Sequence, residues 1–217
     1  MLVLIAALMV CNLVFIHTAG WLRLFWNLFG YISLFLIYKF AGLKLDDIGL
    51  SPKNFKSGLK YSAYLIALIA VVLVLVFIID SKIFQDPRYH HALGSALYSS
   101  LVLLPLKTVF FEELAFRGFL LSLLFKTKNN RMFATIASSL LFGLWHIGTA
   151  GKLSSQGIDG GATISSPLTI FGVFIVTTLA GIVFCELRWR SKSLVAPIAV
   201  HWFINGIAIV LAALSWS

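Results

Sequence analysis

Long apolar runs broken by short polar stretches dominate the 217-residue chain. A membrane helix needs about 20 mostly apolar residues to cross about 30 Å of hydrocarbon, and about seven segments meet that template. The first runs over about Leu2–Thr18 and the second over Trp21–Phe40, with a tight Ala-Gly turn between them. The third is Tyr61–Ile79, the fourth a long Ala92–Phe125, and the fifth Met132–Ile147. Pro167–Cys185 and Leu194–Trp216 complete the set. The expected fold class is all-α: a polytopic transmembrane helix bundle forming one integral membrane domain over residues 1–217.

Composition sharpens that picture. Sixty per cent of the residues are apolar, 12% are charged, and the mean hydropathy is +0.97. A soluble domain carries about 25% charged residues, so the apolar excess must face lipid. The formal charge of +9 does not mark a nucleic-acid surface, because the cations sit in short loops between apolar runs. There they set orientation. The loops after the second, fourth and sixth segments carry eleven Lys and Arg residues against four on the opposite side, which places the richer side and the N-terminus in the cytoplasm. Cys11 and Cys185 both lie inside apolar segments, so neither a disulfide framework nor a cysteine metal knot is expected. The N-terminal run lacks a basic leader region and reads as a retained helix. The Gly- and Ser-rich stretch Gly148–Ser166 reads as a non-cytoplasmic loop; its GTAGK has neither the spacing nor the preceding strand of a phosphate loop.

Against this background Glu112, Glu113, Arg117, His146 and His201 do not belong in lipid, and Asn205 is a milder exception. Ionisable groups inside a membrane persist when they pair or line a cavity, so each is a functional candidate. In FFEELAFRGF, Glu113 and Arg117 stand at i and i+4 with the acid first, the favourable order for a pair. Glu112 points about 100° away around the helix and has no local partner. A carboxylate in apolar surroundings is a stronger base than one in water. The spacing therefore assigns Glu113 and Arg117 to a structural brace and Glu112 to a general base, unless all three serve only to hold helices together.

FGLWH ends at His146, and HWFIN runs from His201 to Asn205, so each places two residues on one helical face. A lone membrane histidine usually serves as an interhelical hydrogen-bond partner. At about 1.5 Å per residue from the basic loops, Glu112 lies roughly 21 Å deep and His146 roughly 22 Å deep. His201 and Asn205 fall at roughly 14 and 20 Å. Polar groups from separate helices thus reach one layer, which favours a single site.

The ordered set Glu112-Glu113-Leu-Ala-Phe-Arg117, Phe142-Gly-Leu-Trp-His146 and His201-Trp-Phe-Ile-Asn205 resembles the CAAX protease and bacteriocin-processing (CPBP, or Abi) family of intramembrane proteases. The likeness extends over roughly residues 105–210 and includes SKSLVAPIAV before the last motif. It implies a type II CAAX endopeptidase in which Glu112 and His146 activate water while His201 and Asn205 stabilise the oxyanion. Glu113, Arg117 and Phe142 then support the site. The implied substrate is a membrane-associated protein or peptide cut near its C-terminus or membrane anchor. The implied location is a prokaryotic plasma membrane. An older reading of the family makes Glu112, His146 and His201 metal ligands. Zinc is well served by histidine and carboxylate but seldom by asparagine, so no cofactor is the favoured expectation and zinc the alternative. A non-catalytic membrane partner, such as a bacteriocin self-immunity protein, could use the same bundle for packing. A transporter could use Glu and His as a proton relay.

Overall fold

The computed structural model describes residues 4, 5, 8, 10, 21–90, 92–155 and 166–216. Among these there is no strand; the regular structure is helical throughout. Helix α1 spans Trp21–Phe40, the single turn α2 spans Leu45–Ile48, and α3 spans Phe55–Ile79. Two short 3-10 turns, Ser81–Phe84 and Pro87–Tyr89, lead into the helical rod α4, residues 93–128. Arg131–Ser155 forms α5, Ser166–Ser191 forms α6, and Val195–Leu214 forms α7. The expected first segment lies mostly outside the described residues, as do its Ala-Gly turn and Cys11; of it, Leu4 and Leu8 are buried in the core.

Burial is inverted relative to a water-soluble protein. Along α3 the buried residues are Gly58 and Ser62, whereas Leu68, Ile78 and Ile79 are 63%, 74% and 81% exposed. The interior instead holds Glu113 and Arg117, both 0% exposed. Three stretches, Leu45–Ile79, Pro167–Ser191 and Val195–Leu214, are long and apolar enough to cross a membrane, and Phe25–Phe40 is a shorter apolar helix. An apolar exterior wrapped around buried charge is the arrangement of an integral membrane protein, whose solvent is lipid.

Several boundaries differ from those read in the apolar pattern. Helix α3 begins at Phe55 rather than Tyr61, because Pro52 opens a 3-10 turn that runs into it. Helix α5 continues through Gly148 to Ser155, so the start of the expected loop is helical; residues 156–165 are outside the described set. Gly, Ser and Thr carry no apolar signal, yet nothing between Gly148 and Ser155 bars the helix, since no proline occurs there. Helix α6 runs past Cys185 into polar residues, where Glu186 accepts hydrogen bonds from Arg190 one turn on and from Arg131 of α5.

The long α4 departs most from a regular helix. It widens into π turns at Ser99–Leu103, Pro105–Val109 and Leu114–Leu120. Pro105 has no N–H and crowds the carbonyl a turn earlier, a recognised cause of such distortion. Each widened segment also has a main-chain carbonyl that accepts from a neighbouring helix. Trp202 Nε1 donates to Ser100 O at 2.8 Å, Tyr31 Oη to Leu106 O at 3.1 Å, and Ser138 Oγ to Phe116 O at 3.1 Å. The distortions in α4 thereby become attachment points for α7, α1 and α5.

Helices α5 and α6 pack side by side along much of their length, and small residues set the distance. A Cβ on Gly143 would collide with Thr178 Oγ1 and stand 3.0 Å from Phe174 O. Such overpacking costs about 1–3 kcal/mol. Gly143→Ala should therefore lower the thermal unfolding midpoint, whereas Gly172→Ala, where no atom lies within 4 Å, should not. Equal midpoints for the two variants in the same detergent would show that α5 and α6 are not held this closely.

Candidate active site

Four helical segments contribute to one buried polar cluster. The α4 stretch Phe110–Glu113 supplies Glu112 and Glu113, with Arg117 one turn on. Helix α5 supplies Phe142, Trp145 and His146, α6 supplies Phe184, and α7 supplies His201 and Asn205. The ion pair forms as its spacing suggested: Arg117 Nη1 donates to Glu113 Oε1 at 2.9 Å, with both side chains fully buried.

One carboxylate does not by itself satisfy a guanidinium. Nε and Nη2 of Arg117 have no hydrogen-bond partner. The cation instead lies over aromatic faces, 3.9 Å from the Phe142 ring centroid and 5.0 Å from that of Phe184. The negative face of each ring offsets part of the buried charge. Phe142 thus holds Arg117 from one side, and its own carbonyl takes part in the next contact.

His146 Nδ1 lies 2.8 Å from Phe142 O. A carbonyl can only accept, so Nδ1 carries the hydrogen and, in the neutral ring, Nε2 presents a lone pair. That Nε2 faces Glu112 Oε2 at 3.8 Å. His201 is held in the same manner, with Nδ1 donating to Glu113 Oε1 at 2.7 Å and the ring stacked on Phe184 at 5.1 Å between centroids. Its Nε2 lies 3.9 Å from the same Glu112 Oε2. Both imidazoles are therefore fixed through Nδ1 and aimed through Nε2 at one oxygen.

Glu112 is 5% exposed. Its Oε1 accepts a hydrogen bond from Trp145 Nε1 at 3.0 Å, while Oε2 has no hydrogen-bond partner. The indole thus occupies one oxygen and leaves the other to the histidines. Separations of 3.8 and 3.9 Å are too long for direct hydrogen bonds but short enough for a third group to bridge. Asn205 follows His201 by one turn, is half-buried, and among the described residues has no hydrogen-bond partner, so its amide is uncommitted.

Glu112, His146 and His201 have the donor chemistry of a zinc site, and their anchored Nδ1 atoms resemble the outer hydrogen bonds of metal ligands. The spacing fits less well. Bonds of about 2.0–2.1 Å put tetrahedral ligands about 3.3 Å apart, and the nitrogens stand 3.8 and 3.9 Å from the carboxylate oxygen. Among the described residues no group of three ligand-type side chains closes on one ion.

Their polarity in apolar surroundings brought out Glu112, Glu113, Arg117, His146, His201 and Asn205, and spacing sorted their roles. It missed three contacts. Trp145 sits beside His146 in FGLWH and was readable as an indole in an apolar run, but its partner lies on another helix. Phe184 carries no polar signal. The His201–Glu113 bond joins residues 88 positions apart, and nothing local announces it.

The family model described as Rce1-like, type II CAAX prenyl endopeptidase, matches residues 94–207, which include all of these side chains. No curated protein and no solved structure matches the chain.

Glu113 serves two cations or donors at once, so it should behave as the brace of the cluster. Removing one member of a buried pair costs about 3–5 kcal/mol. Glu113→Gln should therefore depress the unfolding midpoint strongly, and Glu113→Gln combined with Arg117→Met should recover much of the loss because no unpaired guanidinium remains. A Glu113→Gln variant as stable as wild type would show that the pair does not hold the bundle.

Proposed function

We propose that this chain, which belongs to the Rce1-like type II CAAX prenyl endopeptidase family, hydrolyses a peptide bond near the C-terminus or membrane anchor of a membrane-associated protein or peptide. The observation that carries the proposal is the position of Glu112 Oε2, approached by Nε2 of both His146 and His201 and bonded to neither. A water placed there can donate one hydrogen to the carboxylate and the other to the lone pair of His146.

Catalysis then proceeds by general base chemistry. Glu112 takes a proton from water as its oxygen attacks the scissile carbonyl, and the carbonyl oxygen becomes an oxyanion. Asn205 donates its amide N–H to that oxygen, and His201 donates from Nε2. Because His201 Nδ1–H is committed to Glu113, donation from Nε2 requires the imidazolium form. The proton held by Glu112 passes to the departing amine, leaving a free carboxylate and a free amine. Trp145 acts as a positioning residue by keeping Oε1 out of the reaction.

Two further features of the proposal concern the reaction type and the topology. No metal takes part, which the wide spacing of the potential ligands supports. The N-terminus faces the cytoplasm, which the distribution of Lys and Arg supports.

A mutation series separates these roles. With a farnesylated CAAX peptide or the native substrate in liposomes, Glu112→Gln should abolish cleavage while leaving the unfolding midpoint near that of wild type. Trp145→Phe keeps the aromatic packing and should lower kcat by up to about 10²-fold with little change in KM. Full activity of Glu112→Gln would remove the proposed base.

Metal content provides an independent check. Asn205→Ala should reduce turnover by about 10²–10³ through the lost oxyanion donor, and elemental analysis should find no stoichiometric zinc in active wild-type protein. A stoichiometric zinc, together with recovery of Asn205→Ala on adding zinc, would overturn the metal-free mechanism and leave the peptidase assignment standing.

A further inference from the structure

A second polar cleft lies away from the Glu112 cluster, at the Lys- and Arg-rich ends of the helices. It has a volume of about 450 Å³ where the α2 turn meets the 3-10 turn before α3 and the ends of α4 and α6. Four cations line it, Lys53, Lys126, Arg188 and Lys192, against two carboxylates, Asp46 and Asp47.

The carboxylates are already committed. Asp46 pairs with Lys53 at 2.6 Å, and Asp47 pairs with Lys126 at 2.8 Å while also accepting from the Lys44 backbone N–H. Arg188 is different. It is 5% exposed, and its Nη2 donates only to main-chain carbonyls, those of Asp46 and Asp47. Among the described residues no carboxylate lies within ion-pair distance of it, and its Nε has no hydrogen-bond partner. Carbonyl dipoles orient a guanidinium but do not cancel its charge, so a buried arginine held in this way still favours an anion.

The cleft is built to keep that arginine in place. Gly49 follows α2 with φ +77, and a Cβ there would stand 2.6 Å from Arg188 Cζ. Leu194 N donates to Gly49 O at 2.7 Å, and Asn54 Nδ2 donates to Lys192 O at 3.2 Å. Lys192 itself adopts φ 55, is exposed, and has no ion-pair partner among the described residues. Phe125 and Trp189 complete the wall, with ring centroids 5.3 Å apart. Aromatic rings beside unpaired cations at the ends of membrane-crossing helices match the chemistry of the headgroup layer.

We propose that this cleft binds a phosphate group, presented by an anionic phospholipid headgroup, with Arg188 and Lys192 as its main partners. The fixed guanidinium supplies directional donors, and the exposed lysine adds a point charge at the mouth. The acyl chains of such a lipid would lie along the apolar exterior of the bundle. This site is separate from the peptidase cluster and does not depend on that activity.

The test uses the full chain purified in neutral detergent. Native mass spectrometry should show phosphatidylglycerol retained in preference to phosphatidylcholine. Lys192→Asn, which tolerates the left-handed backbone, should weaken that preference about fivefold, as should Arg188→Gln. If Arg188→Gln does not fold, the Lys192→Asn variant alone decides the matter, since its side chain is exposed. Titration with inorganic phosphate provides the second arm. A rise in unfolding midpoint with phosphatidylglycerol, but not with millimolar phosphate, supports the lipid source. A rise with phosphate alone, lost in Lys192→Asn, overturns the lipid source and leaves a soluble phosphate as ligand. Equal retention of both lipids and no response to phosphate would overturn the site itself.

Discussion

The pairing of Arg117 with Glu113 is the constraint on which the rest of the bundle depends. A fully buried guanidinium is costly in lipid surroundings unless its charge is met on every side. Glu113 meets one edge at 2.9 Å, and the rings of Phe142 and Phe184 cover others. These partners come from α4, α5 and α6. Glu113 then extends the network to α7 by accepting from His201 at 2.7 Å. A single buried charge thus fixes the lateral arrangement of four helical segments.

The same network aims the groups proposed to act on substrate. Phe142 covers Arg117 with its ring and anchors His146 with its carbonyl. Glu113 neutralises Arg117 and anchors His201. Each imidazole is thereby held by an element of the ion-pair network and directed at Glu112, which is not part of that pair. Adjacent carboxylates on one helix can have such different roles because successive residues point about 100° apart. Glu113 faces the brace and Glu112 faces the histidines.

Much of this was legible in the sequence where the determining contact is local or the residue type is unusual for lipid. The i, i+4 spacing of Glu113 and Arg117 gave their pairing, and the apolar surplus gave the helical membrane bundle. Glu112, His146 and His201 stood out by their polarity alone. What could not be read depends on contacts between helices or on main-chain distortion. The widening of α4 at Pro105 had a visible cue in the proline, but its consequence, carbonyls bonded by Tyr31, Trp202 and Ser138, required the neighbouring helices. Phe184 lies in an unbroken apolar run, where a ring stacked on histidine looks like any lipid-facing residue. The extension of α5 to Ser155 was hidden because loss of hydrophobicity marks the edge of lipid, not the end of a helix.

The role proposed for Glu112 is that of a base acting on water, and it differs from that of a nucleophile attacking the peptide directly. Single-turnover cleavage in ¹⁸O-labelled water, followed by mass spectrometry of both product and protein, tests for an acyl intermediate opened at the Glu112 carbonyl. Direct attack by water places one ¹⁸O in the new product carboxylate and none in the enzyme. Label found in the Glu112 side chain, with an unlabelled product, would reveal an acyl intermediate on that carboxylate and contradict its assignment as the base.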